Sequence, residues 1–221
     1  MSLFRKKILE TFVKPVLTVY LKKDRYHTYK GIKVLIKTGV FHPAFFYSTK
    51  FILRSVEQID FKNKTVLELG AGSGLISLHL VKRNAIVTAI DINPSSIDSI
   101  KESAKLNSLK VNTYVSDLFS QVPSQTFDFI IINPPYYRGE ATSIEQQAWY
   151  AGKDLEYFEK LFSELGNYMI RESMVFMSLS EDCELDKIKE IAHKHDFLFL
   201  LFKQEKIKGE KNYLLEIKNR S

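Results

Sequence analysis

From residue 64 onward the chain alternates between short apolar runs and apolar stripes at helical spacing. Residues 65–69 form the first run and lead into glycine; 85–90, 111–116, 127–132 and 173–179 follow as further runs. Runs of about four to eight residues rich in Val, Ile and Phe predict strands. The run at 127–132 is nearly unbroken Phe and Ile, as expected of a strand buried on both faces. Between the runs, residues 75–81 predict a helix. A second helix is expected where Ile97, Ile100 and Ala104 recur, with Asn93 as N-cap and Pro94 at the first helical position. Leu155, Phe158, Phe162 and Leu165 mark a helix over 154–166, and Leu185, Ile188 and Ile191 one over 184–194. Runs at 197–202 and 212–217 predict a closing antiparallel hairpin through Gly209. The pattern predicts an α/β fold: a mostly parallel, seven-stranded sheet with helices on both faces and an antiparallel last strand.

Residues 1–60 break this rhythm. They suggest a helix over 9–21 interrupted at Pro15, a hairpin over 26–36 through Gly31, an aromatic loop over 41–47 and a helix over 49–58. We therefore expect a basic N-terminal extension, 1–60, packed on a core domain, 61–221.

Composition narrows the class. The chain has 221 residues, 45% of them hydrophobic, with only 9 Gly and 6 Pro, which is ordinary for a folded domain and unlike a disordered or collagen-like chain. No apolar stretch approaches the ~18 residues of a membrane helix. Lys14, Lys22 and Lys23 interrupt any apolar region behind Arg5, Lys6 and Lys7, so no secretory signal is expected. Cys183 is the single cysteine, which excludes an internal disulfide or a thiolate cluster and favours the reducing cytoplasm. No His, Asp or Glu cluster has metal-ligand spacing, so no metal is expected. The net charge of +6 is uneven. Residues 1–60 carry 12 Lys or Arg against 4 Asp or Glu; residues 61–221 carry 20 against 22. Such a basic segment either steers the protein toward nucleic acid or an acidic surface, or is an ordinary solvated face.

The strongest chemical signal is the passage Glu68-Leu69-Gly70-Ala71-Gly72-Ser73-Gly74, a strand running into a glycine turn that opens a helix. Glycines let a ligand approach the main chain closely. The acid at Glu68 and the G-x-G-x-G spacing disfavour a pyrophosphate, and with it a dehydrogenase, and suit a cationic ligand instead. Asp91, followed by Ile92, ends the second run about 20 residues on, where a carboxylate accepts both hydroxyls of a ribose. Asp117, followed by Leu118, ends the third and is positioned to accept from an adenine amino group. The fourth run ends in Asn133-Pro134-Pro135-Tyr136. Two prolines stiffen the chain and remove two donors. The Asn133 amide oxygen and the Pro134 carbonyl are then fixed acceptors for the two hydrogens of a planar –NH2 group, with Tyr136 stacked on its face. Acceptors that favour a pyramidal nitrogen expose its lone pair to an electrophilic methyl, with no ionised base needed at the start.

These residues resemble the class I S-adenosylmethionine-dependent methyltransferases, and more narrowly the amino-methyltransferases carrying Asn-Pro-Pro-Tyr, such as the HemK/PrmC glutamine methyltransferases of translation release factors. The resemblance covers about residues 40–218. It implies a Rossmann-like fold and S-adenosyl-L-methionine as cofactor, released as S-adenosyl-L-homocysteine. By the resemblance, Glu68 to Gly74 bind the methionine part, Asp91 the ribose, Asp117 with Leu118 the adenine, and Asn133 to Tyr136 the acceptor amide. Phe41, Pro43 and Thr49 resemble residues that border the cofactor before the first strand. The family's acids before that threonine are replaced here by Tyr47 and Ser48. Trp149 and Tyr150 either line the acceptor mouth or cap the core. Three functions follow: a protein methyltransferase acting on a glutamine amide, in a release factor for instance; an RNA or DNA methyltransferase acting on adenine N6 or guanine N2; or a binding module that keeps the cofactor without catalysis. No membrane partner is expected.

Overall fold

The computed structural model describes residues 23–40 and 47–220. The expected helix at 9–21 and residues 41–46, with Phe41 and Pro43, lie outside the described residues. The chain enters as a hairpin, β1 (Arg25–Tyr29) and β2 (Ile32–Ile36), followed by helix α1 (Tyr47–Ser55). Then come β3 (Thr65–Leu69), α2 (Leu75–Lys82), β4 (Ile86–Asp91), α3 (Pro94–Leu106), β5 (Asn112–Val115) and β6 (Phe127–Ile132). A 3-10 turn at Glu145–Ala148, α4 (Glu156–Leu165), β7 (Met169–Ser180), α5 (Leu185–Lys194), β8 (Phe197–Ile207) and β9 (Glu210–Asn219) complete it.

The main sheet has seven strands in the order β5-β4-β3-β6-β7-β9-β8, with β9 antiparallel to both its neighbours and the other pairs parallel. Both hairpins turn on two left-handed residues, Lys30-Gly31 and Lys208-Gly209. This is the turn whose twist matches that of paired strands.

Side chains alternate between two cores, one on each face of the sheet. Leu67, Leu69, Ile130 and Ile132 point toward α4 and α5. Val66, Phe129 and Ile131 point the other way, into a cluster shared with α1, α2 and the hairpin residues Ile32, Val34 and Ile36. The first 60 residues thus supply Phe51, Ile52 and Val34 to the same apolar core that buries Phe176 of β7. None of the described helices is long and apolar enough to cross a membrane.

The strand order fixes where the chemistry sits. The chain leaves β3 toward β4 and β5 on one side and returns to β6 and β7 on the other. The crevice between β3 and β6 at their C-terminal ends is therefore the switch point where open sheets bind ligands. Leu69 pairs with Ile132 and Leu69 with Ile90, so the segments beginning at Gly70, Asp91 and Asn133 emerge side by side.

Candidate active site

The glycine turn is shaped by its neighbours. Gly70, Gly72 and Gly74 all have positive φ, at 70°, 53° and 72°. At Gly74 a Cβ would lie 2.5 Å from Ile100 Cγ1, so glycine is what lets α3 pack against the start of α2. At Gly70 a Cβ would meet no described atom within 4 Å. The space over Gly70 is open crevice, and a ligand can lie directly against this backbone.

Glu68 is the penultimate residue of β3. It is buried, and its Oε2 accepts from the Ser77 amide at 2.8 Å and from the Ser77 hydroxyl. The carboxyl thus braces the first turn of α2, where unpaired amides favour an acceptor. Burial outweighs those bonds and pushes its pKa up to about 8. A carboxyl raised in the folded state stabilises the fold at low pH, and that contribution is lost as pH rises from the unfolded value of 4.5 through about 8. Urea unfolding of wild type and Glu68→Gln checks this. Relative to the variant, wild type is expected to lose on the order of a few kcal/mol between about pH 5 and about pH 9. Parallel pH profiles would show instead that Glu68 titrates alike folded and unfolded.

Asp91 closes the turn from β4. Its Oδ2 accepts from Gly72 N at 2.7 Å and its Oδ1 from Asn93 N at 2.8 Å. Burial raises its pKa, against the pull of those two amides and of Ser96. Asn93 caps α3 as expected, accepting from Ser95 N at 2.9 Å ahead of Pro94. Its amide also donates to the Gly39 carbonyl, which brings the segment after β2 to the crevice.

Asp117 lies two residues beyond the end of β5 and is exposed. Its Oδ2 accepts from Lys160 Nζ of α4 at 2.6 Å. Leu118 beside it is buried and left-handed (φ 49°), held by Ser116, whose hydroxyl donates to the Leu118 carbonyl at 2.7 Å. Ile92, next to Asp91 in the chain, is partly exposed, and Thr49 is buried in α1.

The segment after β6 divides in two. Among the described residues, nothing donates to the Asn133 side chain or to the Pro134 carbonyl, and both stand next to the open crevice at Gly70. Tyr136 packs against Tyr137, the two rings lying 4.9 Å apart, and burial raises the pKa of its hydroxyl. The segment is pinned further by Tyr137, whose amide donates to Trp149 O at 3.1 Å and whose carbonyl accepts from Ala151 N at 2.8 Å. Trp149 and Tyr150 therefore belong to the rim of the crevice; the Tyr150 ring lies where a Cβ on Gly139 would be. Leu155, fully buried, is left-handed (φ 67°) at the start of α4. That conformation costs a residue with a Cβ about 1–2 kcal/mol, and core packing holds it.

Several partners escape sequence reasoning. Ser77 and Ser116 act through hydroxyls on separate segments, and Lys160 reaches Asp117 across 43 residues. None sits in a motif. The acidic residues Glu181, Asp182, Glu184 and Asp186 follow the end of β7, which brings them near Tyr136 and Tyr137. There, a cavity of about 420 Å³ is lined by Glu181, Cys183, Glu184, Leu185, Asp186, Lys187 and Tyr213. Arg138 at the same mouth is held by Asp154 and Glu184, at 2.9 and 3.3 Å.

Comparison with known proteins agrees with this geometry. Residues 31–150 match the model of the "Methyltransferase small domain" family. A Methanocaldococcus jannaschii relative, provisionally named a protein N5-glutamine methyltransferase, is 36% identical over 175 residues, 75% of this chain and 86% of its own. The release factor glutamine methyltransferase of Aquifex aeolicus is 29% identical over 183 residues, 76% of this chain and 64% of its own. Among solved structures, the Thermus thermophilus 16S rRNA N2 G1207 methyltransferase, in complex with AdoMet and guanosine, superposes with a TM-score of 0.62 at 18% identity, over 88% of this chain and 50% of that one. The chain belongs to the methyltransferase small domain family and is an S-adenosylmethionine-dependent methyltransferase of the class I fold.

Proposed function

We propose that the acceptor is a glutamine side-chain amide in a protein, of the kind carried by translation release factors, methylated in the cytoplasm. The cofactor supplies an electrophilic methyl on a sulfonium. The rest falls to this chain. Gly70 to Gly74 would hold the methionine part, with Ala71 and Ser73 lining the turn and Glu68 bracing the first turn of α2. Asp91 would take the ribose hydroxyls, and Asp117, Ile92 and Leu118 the adenine. Asn133 Oδ1 and the Pro134 carbonyl would accept the two amide hydrogens and turn the nitrogen lone pair toward the methyl. Pro135 keeps the backbone rigid, and Tyr136, packed against Tyr137, would support the flat face of the amide. After transfer the nitrogen carries an extra proton, which leaves to solvent.

The observation that carries the choice of a protein over a nucleic acid is the charge at the mouth. Glu181, Asp182, Glu184, Asp186 and Glu210 stand against Arg138, Lys187 and Lys211, and Arg138 and Lys187 are both paired with Glu184. A phosphate backbone would be repelled there. Several basic residues described in the first 60 positions are also engaged. Lys30, Lys37 and Arg54 pair with Glu57, Glu102 and Glu205, while Lys33 and Lys50 lie over the rings of Tyr26 and Tyr29. The relatives named for glutamine methylation point the same way.

The test is transfer of labelled methyl to a cell lysate treated with nuclease or with protease. Label is expected to survive nuclease and vanish with protease, and to map to glutamine by mass spectrometry. Label that vanishes with nuclease would establish a base amine as the acceptor.

A further inference from the structure

The crevice has an outer wall that no motif announces. Helix α4 begins at a fixed left-handed residue, Leu155, and its first turns run past the ends of β4 and β5. Tyr157 and Lys160 lie three residues apart and so share one helix face. The carboxylates of Asp91 and Asp117 both bear on the Tyr157 phenol, which burial above all holds well over its ordinary range. One turn on, Lys160 Nζ sits 2.6 Å from Asp117 Oδ2. The other oxygen, Oδ1, has no hydrogen bond among the described residues, and the Asp117 main chain is tied down by Ser120 N donating to its carbonyl at 3.2 Å.

We propose that Lys160 is a positioning residue for the adenosine subsite: it pins one oxygen of Asp117 so that the other is presented as a fixed acceptor for the adenine 6-amino group. This rests on the reading of Asp117 as the adenine acceptor. An exposed aspartate left alone rotates between rotamers and offers its charge to water. Held by a cation on a neighbouring helix, it offers one oxygen in one direction, and that direction separates a purine carrying an amino donor from one carrying a carbonyl oxygen at the same place. Tyr157 supplies the apolar flank on the same helix face. Lys160 touches Asp117 rather than the ligand, so its effect is on discrimination between ligands.

The probes are S-adenosylhomocysteine and its deaminated analogue S-inosylhomocysteine, measured by titration calorimetry against the full-length protein. Asp117 and Lys160 are both exposed, with side chains 56% and 41% accessible, so their variants are expected to fold. Wild type is expected to prefer the adenosyl compound by about tenfold or more, the value of a hydrogen bond to a charged acceptor. Asp117→Ala should abolish that preference. Lys160→Met should lower it about two- to fivefold, the strength typical of an exposed ion pair, while Lys160→Arg restores it. In turnover, Lys160→Met should raise KM for the methyl donor and leave kcat near wild type. If Lys160→Met keeps the full preference while Asp117→Ala loses it, the positioning role is overturned and the adenine reading stands. If Asp117→Ala keeps the preference, the adenine reading fails and the proposal with it.

Discussion

Replacing Asn133 by alanine is expected to lower the rate of methyl transfer by about 10²–10³-fold, the usual cost of removing one preorganised polar group from a reacting centre. Affinity for the methyl donor should stay close to that of wild type. Asn133 emerges from β6 beside Gly70, and its amide is uncommitted among the described residues. With one acceptor left, one amide hydrogen is held and the nitrogen stays planar, its lone pair delocalised. Single-turnover transfer measures the loss, and calorimetry with the methyl donor shows that the cofactor half of the crevice survives. Wild-type turnover in Asn133→Ala would remove the amide grip from the mechanism.

Asp91→Ala is expected to act on the opposite half, weakening binding of the methyl donor by about 10- to 150-fold, equivalent to the ~1.5–3 kcal/mol of a hydrogen bond to a charged group. The carboxylate is central to the glycine turn, since its two oxygens already hold Gly72 N and Asn93 N at 2.7 and 2.8 Å. Removing it deletes the ribose acceptor and loosens the turn against which the ligand lies. The rate at saturating donor should fall much less, because Asn133 and Pro134 are carried by another strand. Unchanged calorimetric affinity would contradict the ribose assignment.

The sheet was legible because a parallel strand buried on both faces has little choice of residue. The run of Phe and Ile at 127–132, the Val-Leu pattern at 65–69 and the Asn93-Pro94 helix start each appear in the structure close to where the sequence predicts them. Strand ends that face solvent were less legible. Strand β8 continues to Ile207 through Lys203, Gln204, Glu205 and Lys206. Here main-chain pairing with β9, rather than burial, holds the extended chain, and polar residues carry no strand period. Strand β7 likewise starts at Met169, ahead of its apolar run, where Ser173 donates to Phe127 O and accepts from Ile170 N.

The same division runs through the site. Sequence alone determined the glycine turn, the acids at the strand ends and the rigid Asn-Pro-Pro-Tyr, because each is a local demand: a positive φ, a carboxylate at the end of a strand, a backbone stripped of donors. What those groups do next was decided only in three dimensions. One oxygen of Glu68 is spent on Ser77 of α2. Asp117 is paired with Lys160 of α4. Such partners lie on other elements, and their hydroxyls and ammonium groups occupy positions that any polar residue could fill in the unfolded chain. Local sequence sets the backbone and the chemical groups; packing of helices across the sheet selects which groups meet, and so which lone pairs are spent on the fold and which remain for a ligand.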